Sequence, residues 1–187
     1  MSESIFHGRT IILGVTGGIA AYKAVELASR WTQAGARVRT LLTPAATRFV
    51  TPLTFAAVTR QPAISEIWRT ESESGKPEHI EIGFAADAFV VAPASADFLG
   101  RAAAGLADDI VTLSWLAFDG PSIFAPAMND RMWAHPAVRR NIETLAGFGV
   151  SIIEPASGHL ACGSVGPGRL AELERIEEAV ARALPRG

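Results

Sequence analysis

Short apolar runs alternate along this chain with segments of helical spacing, and this alternation restricts the possible folds more than any other feature of the sequence. The apolar runs are rich in β-branched residues and end at turn-forming residues, which predicts buried strands. The five predicted strands are TIILGVT (10–16), VRTLLT (38–43), AFVVAPAS (88–95), PSIFAPAM (121–128) and VSIIEP (150–155). The predicted helices occupy residues 19–35, 45–58 with a break at Pro52, 96–118 in two parts divided near Gly105, 135–149 and 168–185.

Strands as continuously apolar as these are poorly suited to face water on one side, so they predict a parallel sheet with helices on both faces. The chain has 187 residues, of which 49% are hydrophobic and 19% charged, and this suits one domain over residues 1–187. The expected fold class is therefore α/β with a doubly wound parallel sheet. The most polar stretch, TESESGKPE (70–78), is expected to form an exposed loop.

Charge and cysteine content argue against several classes of function. A net charge of −2 without long blocks of either sign gives no support for nucleic acid or an anionic membrane as partner. The one cysteine, Cys162, cannot form an internal disulfide or a cysteine-based zinc finger. No apolar stretch approaches the roughly 18 residues of a membrane span. The N-terminal residues show no signal-peptide pattern, so a cytoplasmic location is expected.

Glycine-rich and polar loops follow the predicted strands, at the edge where doubly wound sheets bind ligands. The first loop carries Gly17 and Gly18 before a helix, so its backbone N–H groups favour an anion. Its spacing is neither a P-loop nor a dinucleotide fingerprint. A mononucleotide phosphate fits better, with the hydroxyls of Thr16, Thr43 and Ser95 as further candidate donors. A turn that only packs helix against strand is equally compatible with this motif.

Four ordered motifs, taken together, resemble those of the flavin-dependent cysteine decarboxylases, and most closely the members that act on phosphopantothenoylcysteine in coenzyme A biosynthesis. The motifs are GVTGGIAAYK (14–23), HIEIG (79–83) before the strand that ends in APASAD, PAMNDRMW (126–133) and ACGSVGPGR (161–169). The resemblance implies a flavodoxin-like (Rossmann-like) three-layer domain that binds FMN at a subunit interface. It also implies a homotrimer or a dodecamer of four trimers, and a phosphopantothenate–cysteine ligase as a fused or separate partner.

The reaction implied by the resemblance is decarboxylation of 4′-phosphopantothenoylcysteine to 4′-phosphopantetheine, a small-molecule substrate and product. Direct loss of CO₂ would leave an unstabilised carbanion. Oxidation by FMN at the carbon bearing sulfur gives a thioaldehyde, whose C=S group accepts the electrons when CO₂ leaves. The resulting ene-thiolate then takes back the hydride and a proton. The redox chemistry belongs to the cofactor, and the protein orients and protonates.

Three side chains carry the implied chemistry. His79 matches the catalytic histidine of the family, and Cys162 matches the acid that completes the reduction, flanked by the substrate-binding positions Ala161 and Gly163. Asn129 matches the asparagine that binds the substrate carboxylate. Taken without the motifs, a surface histidine, a helix N-cap asparagine and a buried cysteine are the ordinary alternatives.

The resemblance assigns FMN binding to nine residues on the loops after the first four strands: Gly17, Gly18, Ile19, Thr43, Ser95, Ala96, Asp97, Phe98 and Ala127. Asp108 and Asp109 match an acidic pair that contacts flavin or a neighbouring subunit, or that forms a charged helix N-terminus. Arg169 is placed to meet a phosphate or to form a surface ion pair. Ser164 departs from the acidic residue usual in the family.

Two other functions share this framework. One is decarboxylation of a C-terminal peptidyl cysteine, as in lantibiotic maturation. The other is a non-catalytic FMN-binding regulatory subunit, a class whose members usually lack one of the histidine, asparagine and cysteine residues. Because this chain keeps all three, an active enzyme is expected.

Overall fold

The computed structural model describes residues 4–67, 86–159, 163 and 165–184. The described strands are β1 (Thr10–Val15), β2 (Arg37–Leu42), β3 (Ala88–Ala94), β4 (Ser122–Pro126), β5 (Ser151–Ile152), β6 (Ala156–His159) and β7 (Val165–Arg169). The described α-helices are α1 (Ala21–Gln33), α2 (Pro52–Thr59), α3 (Ala96–Ala103), α4 (Ile110–Leu116), α5 (Asp130–Ala134), α6 (Pro136–Gly147) and α7 (Leu173–Ala183), and one 3₁₀ turn covers Ala46–Arg48. None of the helices in this part of the chain is long and apolar enough to cross a membrane.

The main sheet has five parallel strands in the order β2-β1-β3-β4-β5, which confirms the predicted doubly wound α/β class. In this order the chain reverses its direction of winding between β1 and β3. The loops after these two strands therefore lead to opposite faces of the sheet and leave a crevice at their carboxyl ends. This crevice is the expected position of a ligand.

Each face of the sheet buries its own apolar core, because successive strand residues point to opposite sides. Ile11, Leu13 and Val15 of β1 belong to the core that also contains residues of α1, α2 and α7. Ile12 of β1 points the other way, into the core formed with α3, α4 and α6. The predicted three-layer arrangement is thereby confirmed.

The structure differs from the sequence-based expectation at the C-terminal end. Residues 165–169 form β7, which pairs antiparallel with β6, so the last helix begins at Leu173 and not at residue 168. The short helix α5 was not predicted. The predicted strand 150–155 pairs over only two residues, Ser151 and Ile152. The polar stretch 70–78 lies outside the described residues.

Each edge of the main sheet is limited in a different way, one by an isolated bridge and the other by the length of its strand. At the β2 edge, Ile64 donates its N–H to the Thr40 carbonyl at 2.9 Å and accepts from the Leu42 N–H at 2.8 Å. At the opposite edge the β5 ladder contains the two residues Ser151 and Ile152. The described sheet thus ends on one side in an edge that is partly covered by the bridge between Leu41 and Ile64, and on the other side in a two-residue strand.

Candidate functional site

A cavity of about 510 Å³ opens at the carboxyl ends of β1, β3 and β4, where the sheet order predicts a ligand. Its volume falls in the range of about 300–1,000 Å³ that is usual for small-molecule sites. The lining residues come from four places: the glycine-containing turn after β1 with the start of α1, the turn after β3, the turn after β4 with the start of α5, and the antiparallel pair β6–β7, called the hairpin below. They are Gly17, Gly18, Ile19, Ala20, Tyr22, Lys23, Pro93, Ser95, Ala96, Ala127, Met128, Asn129, Met132, His159, Gly168, Arg169 and Leu170.

The two glycines of the first turn have different surroundings. A Cβ built on Gly17 would lie 2.5 Å from the Ala45 Cβ and 3.1 Å from the Ala45 carbonyl carbon, so this position is needed for close backbone packing. A Cβ on Gly18 would meet no atom within 4 Å. The following helix α1 starts at the cavity, and its N-cap residue Ala20 provides no side-chain cap. Such a helix start is a favourable place for a phosphate.

The three hydroxyls expected near a phosphate have separate roles. Thr16 is 1% exposed, and its hydroxyl donates to the Pro93 carbonyl at 2.7 Å, which corrects the expectation that it would donate to a phosphate. The Thr43 hydroxyl accepts from the Ala46 N–H at 3.2 Å, away from the cavity lining. Ser95 lines the cavity, and its hydroxyl accepts from the Phe98 N–H at 3.2 Å as the N-cap of α3.

The remaining residues assigned to FMN divide into two groups. Ala96 and Ala127 line the cavity together with Ser95. Asp97 points away to Arg101, with Oδ2 at 2.9 Å from the guanidinium Nε, and Phe98 packs edge-on against Phe124 in the core with ring centroids 5.0 Å apart. Asp97 and Phe98 therefore contribute to the site through the position of helix α3.

Asn129 lines the cavity and also begins helix α5. Its Oδ1 accepts from the Arg131 N–H at 2.8 Å, which confirms the N-cap interpretation for Asn129. The cap uses the acceptor end of the side chain. A carboxylate of the substrate would accept from the other end of the side chain, the Nδ2 group. Capping the helix and binding a carboxylate therefore use different atoms of Asn129.

The hairpin β6–β7 is fastened to the loop that carries Asn129. The Met128 N–H donates to the Gly168 carbonyl at 2.9 Å. Gly168 has φ +144, and a Cβ there would lie 2.2 Å from the Met128 carbonyl oxygen. Only glycine suits this combination of backbone conformation and close approach. Cys162 lies in the sequence between the last residue of β6, His159, and the first residue of β7, Val165.

Two cationic side chains, Lys23 and Arg169, line the cavity, and no carboxylate occurs among its described lining residues. Lys23 lies in the first turn of α1, three residues after the N-cap Ala20, and lines the cavity. His159 and Arg169 come from the two strands of the hairpin, and Arg169 also forms an ion pair with Glu172. The lining is therefore suited to an anionic ligand. Lys23 and His159 were missed as site residues, although the position of Lys23 in the first turn of α1 is a signal that could have identified the lysine.

The acidic pair Asp108–Asp109 acts in structure rather than in the cavity. Asp109 is the N-cap of α4, and its Oδ1 accepts from the N–H groups of Val111 and Thr112 at 2.8 and 3.0 Å. Asp108 forms an ion pair with Arg101, whose guanidinium lowers the pKa of that carboxyl below its ordinary value. The helix-start interpretation is confirmed for Asp109, whereas Asp108 pairs with Arg101.

Both expected catalytic residues lie outside the described part of the chain. His79, Ala161, Cys162 and Ser164 belong to the ranges that the structure does not describe. Gly163 is described and exposed, with φ +88. The roles of His79 and Cys162 therefore stay predictions.

The comparisons with known proteins agree with this geometry. The family model Flavoprotein matches residues 2–184. The coenzyme A biosynthesis bifunctional protein CoaBC of Bacillus subtilis (strain 168) is 46% identical over 172 residues, which are 92% of this chain and 42% of that protein. The corresponding protein of Mycolicibacterium smegmatis is 45% identical over 168 residues, 90% of this chain and 40% of that protein. This chain thus spans about two fifths of the length of these curated relatives.

Two solved structures match over most of both chains. The FMN-dependent cysteine decarboxylase SpaF has a TM-score of 0.83 at 32% identity, covering 95% of this chain and 96% of that one. A Cys-to-Ser mutant of a PPC decarboxylase, complexed with pantothenoylaminoethenethiol, has a TM-score of 0.80 at 31% identity and covers 92% and 96%. The chain belongs to the Flavoprotein family.

Proposed function

We propose that this chain is an FMN-dependent decarboxylase that converts 4′-phosphopantothenoylcysteine to 4′-phosphopantetheine. The observation that carries the proposal is the cavity at the switch point of the sheet, in which the Gly17–Gly18 turn and Asn129 line the same space. The proposal is supported by the relatives named for coenzyme A biosynthesis and by the neighbour named as a PPC decarboxylase.

The residues around the cavity fit FMN. Gly18 leaves open space beside the uncapped start of α1, where a phosphate gains from backbone N–H groups and the helix dipole. Ser95, Ala96 and Ala127 provide small side chains that leave room for a planar ring, and the absence of carboxylates from the described lining avoids repulsion of the phosphate. When bound, FMN supplies the reversible two-electron oxidation that makes loss of CO₂ feasible.

The protein's own side chains then bind the substrate and move protons. Asn129 holds the substrate carboxylate with a neutral amide, which binds the ground state less tightly than a cation would and so opposes CO₂ release less. His79, whose ordinary pKa is near neutral, assists removal of the thiol proton. Cys162 supplies the proton that completes the product.

Substitution of the two predicted catalytic residues is expected to divide the reaction into halves. Cys162→Ser should keep bound FMN and release CO₂ but fail to deliver 4′-phosphopantetheine, because the proton donor is gone. His79→Asn should keep FMN and release no CO₂. The measurements are the visible absorption spectrum of the purified protein, CO₂ release from phosphopantothenoylcysteine, and mass analysis of the product.

The same assays separate the alternative functions. A wild-type protein that releases CO₂ only from peptides ending in cysteine would replace the proposed substrate, a possibility motivated by the similarity to SpaF. FMN binding without CO₂ release from either substrate would indicate a regulatory subunit. A wild-type protein that takes up no FMN contradicts the proposal as a whole, and normal turnover by Cys162→Ser contradicts the acid assignment alone.

The proposal includes a homo-oligomer, for which exposed apolar side chains on α2 and at the start of α1 give support. Ile19 and Tyr22 are 63% and 60% exposed at the start of α1, and Leu53 is 78% exposed on α2. Helices α1 and α2 pack against each other, and Gly17 contacts Ala45 at the start of the connection to α2. A surface of this kind, next to a ligand site, is typical of a contact between copies.

Leu53→Glu is expected to shift the assembly toward monomers, because it places a carboxylate in the proposed contact. Mass photometry and light scattering would measure the change, with Phe148→Glu as the matched control. Phe148 is 62% exposed at the end of α6, so its replacement should leave the assembled mass unchanged. A monomeric wild type, or equal masses for wild type and Leu53→Glu, would contradict this part of the proposal. A cytoplasmic location and a ligase partner belong to the proposal and derive from the assigned pathway.

A further inference from the structure

The side chain of Thr16 connects the two turns that form the cavity. The hydroxyl donates to the Pro93 carbonyl at 2.7 Å and accepts from the Ser95 N–H at 2.8 Å. The Thr16 N–H also donates to the Pro93 carbonyl, at 3.3 Å. With 1% exposure, Thr16 is one of the few buried polar side chains in the described chain, and its hydroxyl both donates and accepts.

These hydrogen bonds occur where the regular pairing of β1 with β3 has stopped. The parallel register runs from Ile11 opposite Ala88 to Gly14 opposite Val91. Beyond Val91 the two strands lead into separate turns, one toward Gly17 and the other toward Ser95. The Thr16 hydroxyl therefore continues the connection between the strands past the end of their ladder, at the mouth of the cavity.

The two connected segments provide adjacent parts of the cavity wall. Gly17 and Gly18 directly follow Thr16 in the chain, and Ser95, whose N–H donates to the Thr16 hydroxyl, is followed directly by Ala96. Ser95, which donates its N–H to the Thr16 hydroxyl, is also the N-cap of α3. A change in the Thr16 hydrogen bonds would therefore change both the distance between the two wall segments and the direction in which α3 begins.

We propose that Thr16 is a positioning residue, whose hydroxyl holds the Gly17–Gly18 turn and the Ser95 turn at the spacing that FMN requires. This inference rests on the proposed function. It assigns Thr16 no donation to the FMN phosphate, because the single O–H of its hydroxyl is already donated to the Pro93 carbonyl. Its effect on binding is exerted through the backbone of the two turns.

Thr40 offers a matched control for the loss of a buried hydroxyl. It is also 1% exposed, it lies on β2, and its hydroxyl has no hydrogen-bond partner among the described residues. Thr→Val removes the same oxygen at either position and preserves shape. Thr16→Val removes the hydroxyl that accepts from the Ser95 N–H. Thr40→Val removes a hydroxyl that forms no hydrogen bond with the described residues.

The test compares Thr16→Val, Thr16→Ser and Thr40→Val in the full chain, with FMN affinity measured by quenching of flavin fluorescence. Thr16→Val should weaken FMN binding on the order of tenfold. Thr16→Ser, which restores the hydroxyl, should bind FMN within about twofold of the wild type, and Thr40→Val should bind it like the wild type. Circular dichroism of each apoprotein reports whether the fold is retained.

Equal FMN affinity for Thr16→Val and wild type would overturn the inference while leaving the proposed function intact. Equal weakening in Thr40→Val, or no recovery in Thr16→Ser, would also overturn it, because the effect would not depend on these two hydrogen bonds.

If Thr16→Val fails to fold, amide hydrogen exchange in the wild-type apoprotein decides. The Ser95 N–H should exchange slowly, and exchange at the rate of an open turn contradicts the proposed connection. A wild type that binds no FMN would instead remove the proposed function and this inference with it.

Discussion

Replacing Gly168 with alanine is expected to lower the rate of decarboxylation about 100-fold, since displacement of reacting groups by about 1 Å can cost that much. The new Cβ would lie 2.2 Å from the Met128 carbonyl oxygen, and φ +144 is unfavourable for alanine. The hairpin must therefore move away from the loop that carries Asn129, and the hydrogen bond from the Met128 N–H to the Gly168 carbonyl is lost. The melting temperature should also fall, by roughly 5 °C, from backbone strain of about 1–3 kcal/mol.

Gly147→Ala is the matched control for this substitution. Gly147 is the last residue of α6, its φ is outside the left-handed region, and a Cβ there meets no atom within 4 Å. Alanine at Gly147 should leave the rate unchanged and the stability equal or slightly higher. Steady-state turnover and thermal unfolding of the two variants give the comparison. If Gly168→Ala were as active as Gly147→Ala, the position of the hairpin would not matter for the reaction.

Gly17→Ala is expected to lower the stability of the apoprotein, whereas Gly18→Ala is expected to weaken FMN binding. At Gly17 the new methyl group would lie 2.5 Å from the Ala45 Cβ and 3.1 Å from the Ala45 carbonyl carbon, so the apoprotein should lose about 1–3 kcal/mol of stability from overpacking. At Gly18 the methyl group meets no protein atom within 4 Å, and the residue lines the cavity. The apoprotein should therefore keep its stability, whereas FMN binding should weaken at least tenfold because the methyl group occupies space needed for close approach of the ligand.

Thermal unfolding of the apoproteins and FMN titration together distinguish the two effects. Gly17→Ala should shift the melting temperature down in the absence of FMN, by roughly 2–4 °C for each kcal/mol. Gly18→Ala should shift only the FMN dissociation constant. Unchanged FMN affinity in Gly18→Ala would mean that the phosphate does not approach this turn. Unchanged apoprotein stability in Gly17→Ala would mean that the contact with Ala45 relaxes without cost.

The sheet could be predicted from the sequence because each of its strands has a local signal. β3, for example, is a run of seven fully buried residues, Ala88–Ala94, and such a run has few alternatives to a central parallel strand. The hairpin β6–β7 has no such signal. Its strands, Ala156–His159 and Val165–Arg169, contain three glycines and a proline, residues that are depleted in strands. The hydrogen bond from the Met128 N–H to the Gly168 carbonyl joins β7 to a loop that is distant in the sequence.

The start of the last helix was predicted too early for a related reason. Leu170 is buried and fits the helical spacing of Leu173, Ile176 and Val180, so the pattern extends beyond the helix itself. Periodicity identifies the buried face of a segment, but here it does not reveal that Leu170 lies between the end of β7 and the start of the helix.

The site was predicted where it is built from turns that follow strands. The Gly17–Gly18 turn, Ser95, Ala96, Ala127 and Asn129 meet at one cavity because parallel strands bring their carboxyl ends to the same edge. Lys23 and His159 were not predicted because their approach to the cavity depends on a helix face and on the unforeseen hairpin. The use of the Thr16 hydroxyl could not be predicted either, since Pro93 and Ser95 are nearly 80 residues away in the chain.

The partly covered β2 edge and the two-residue β5 edge have a consequence for how copies of this chain can associate. Joining two sheets edge to edge requires a row of unpaired amides and carbonyls, and each boundary presents few of them. We therefore expect subunits to meet through interlocking side chains, with each sheet remaining confined to its own chain. Because few edge groups are available for pairing with another sheet, such an arrangement also disfavours the growth of fibres at high protein concentration.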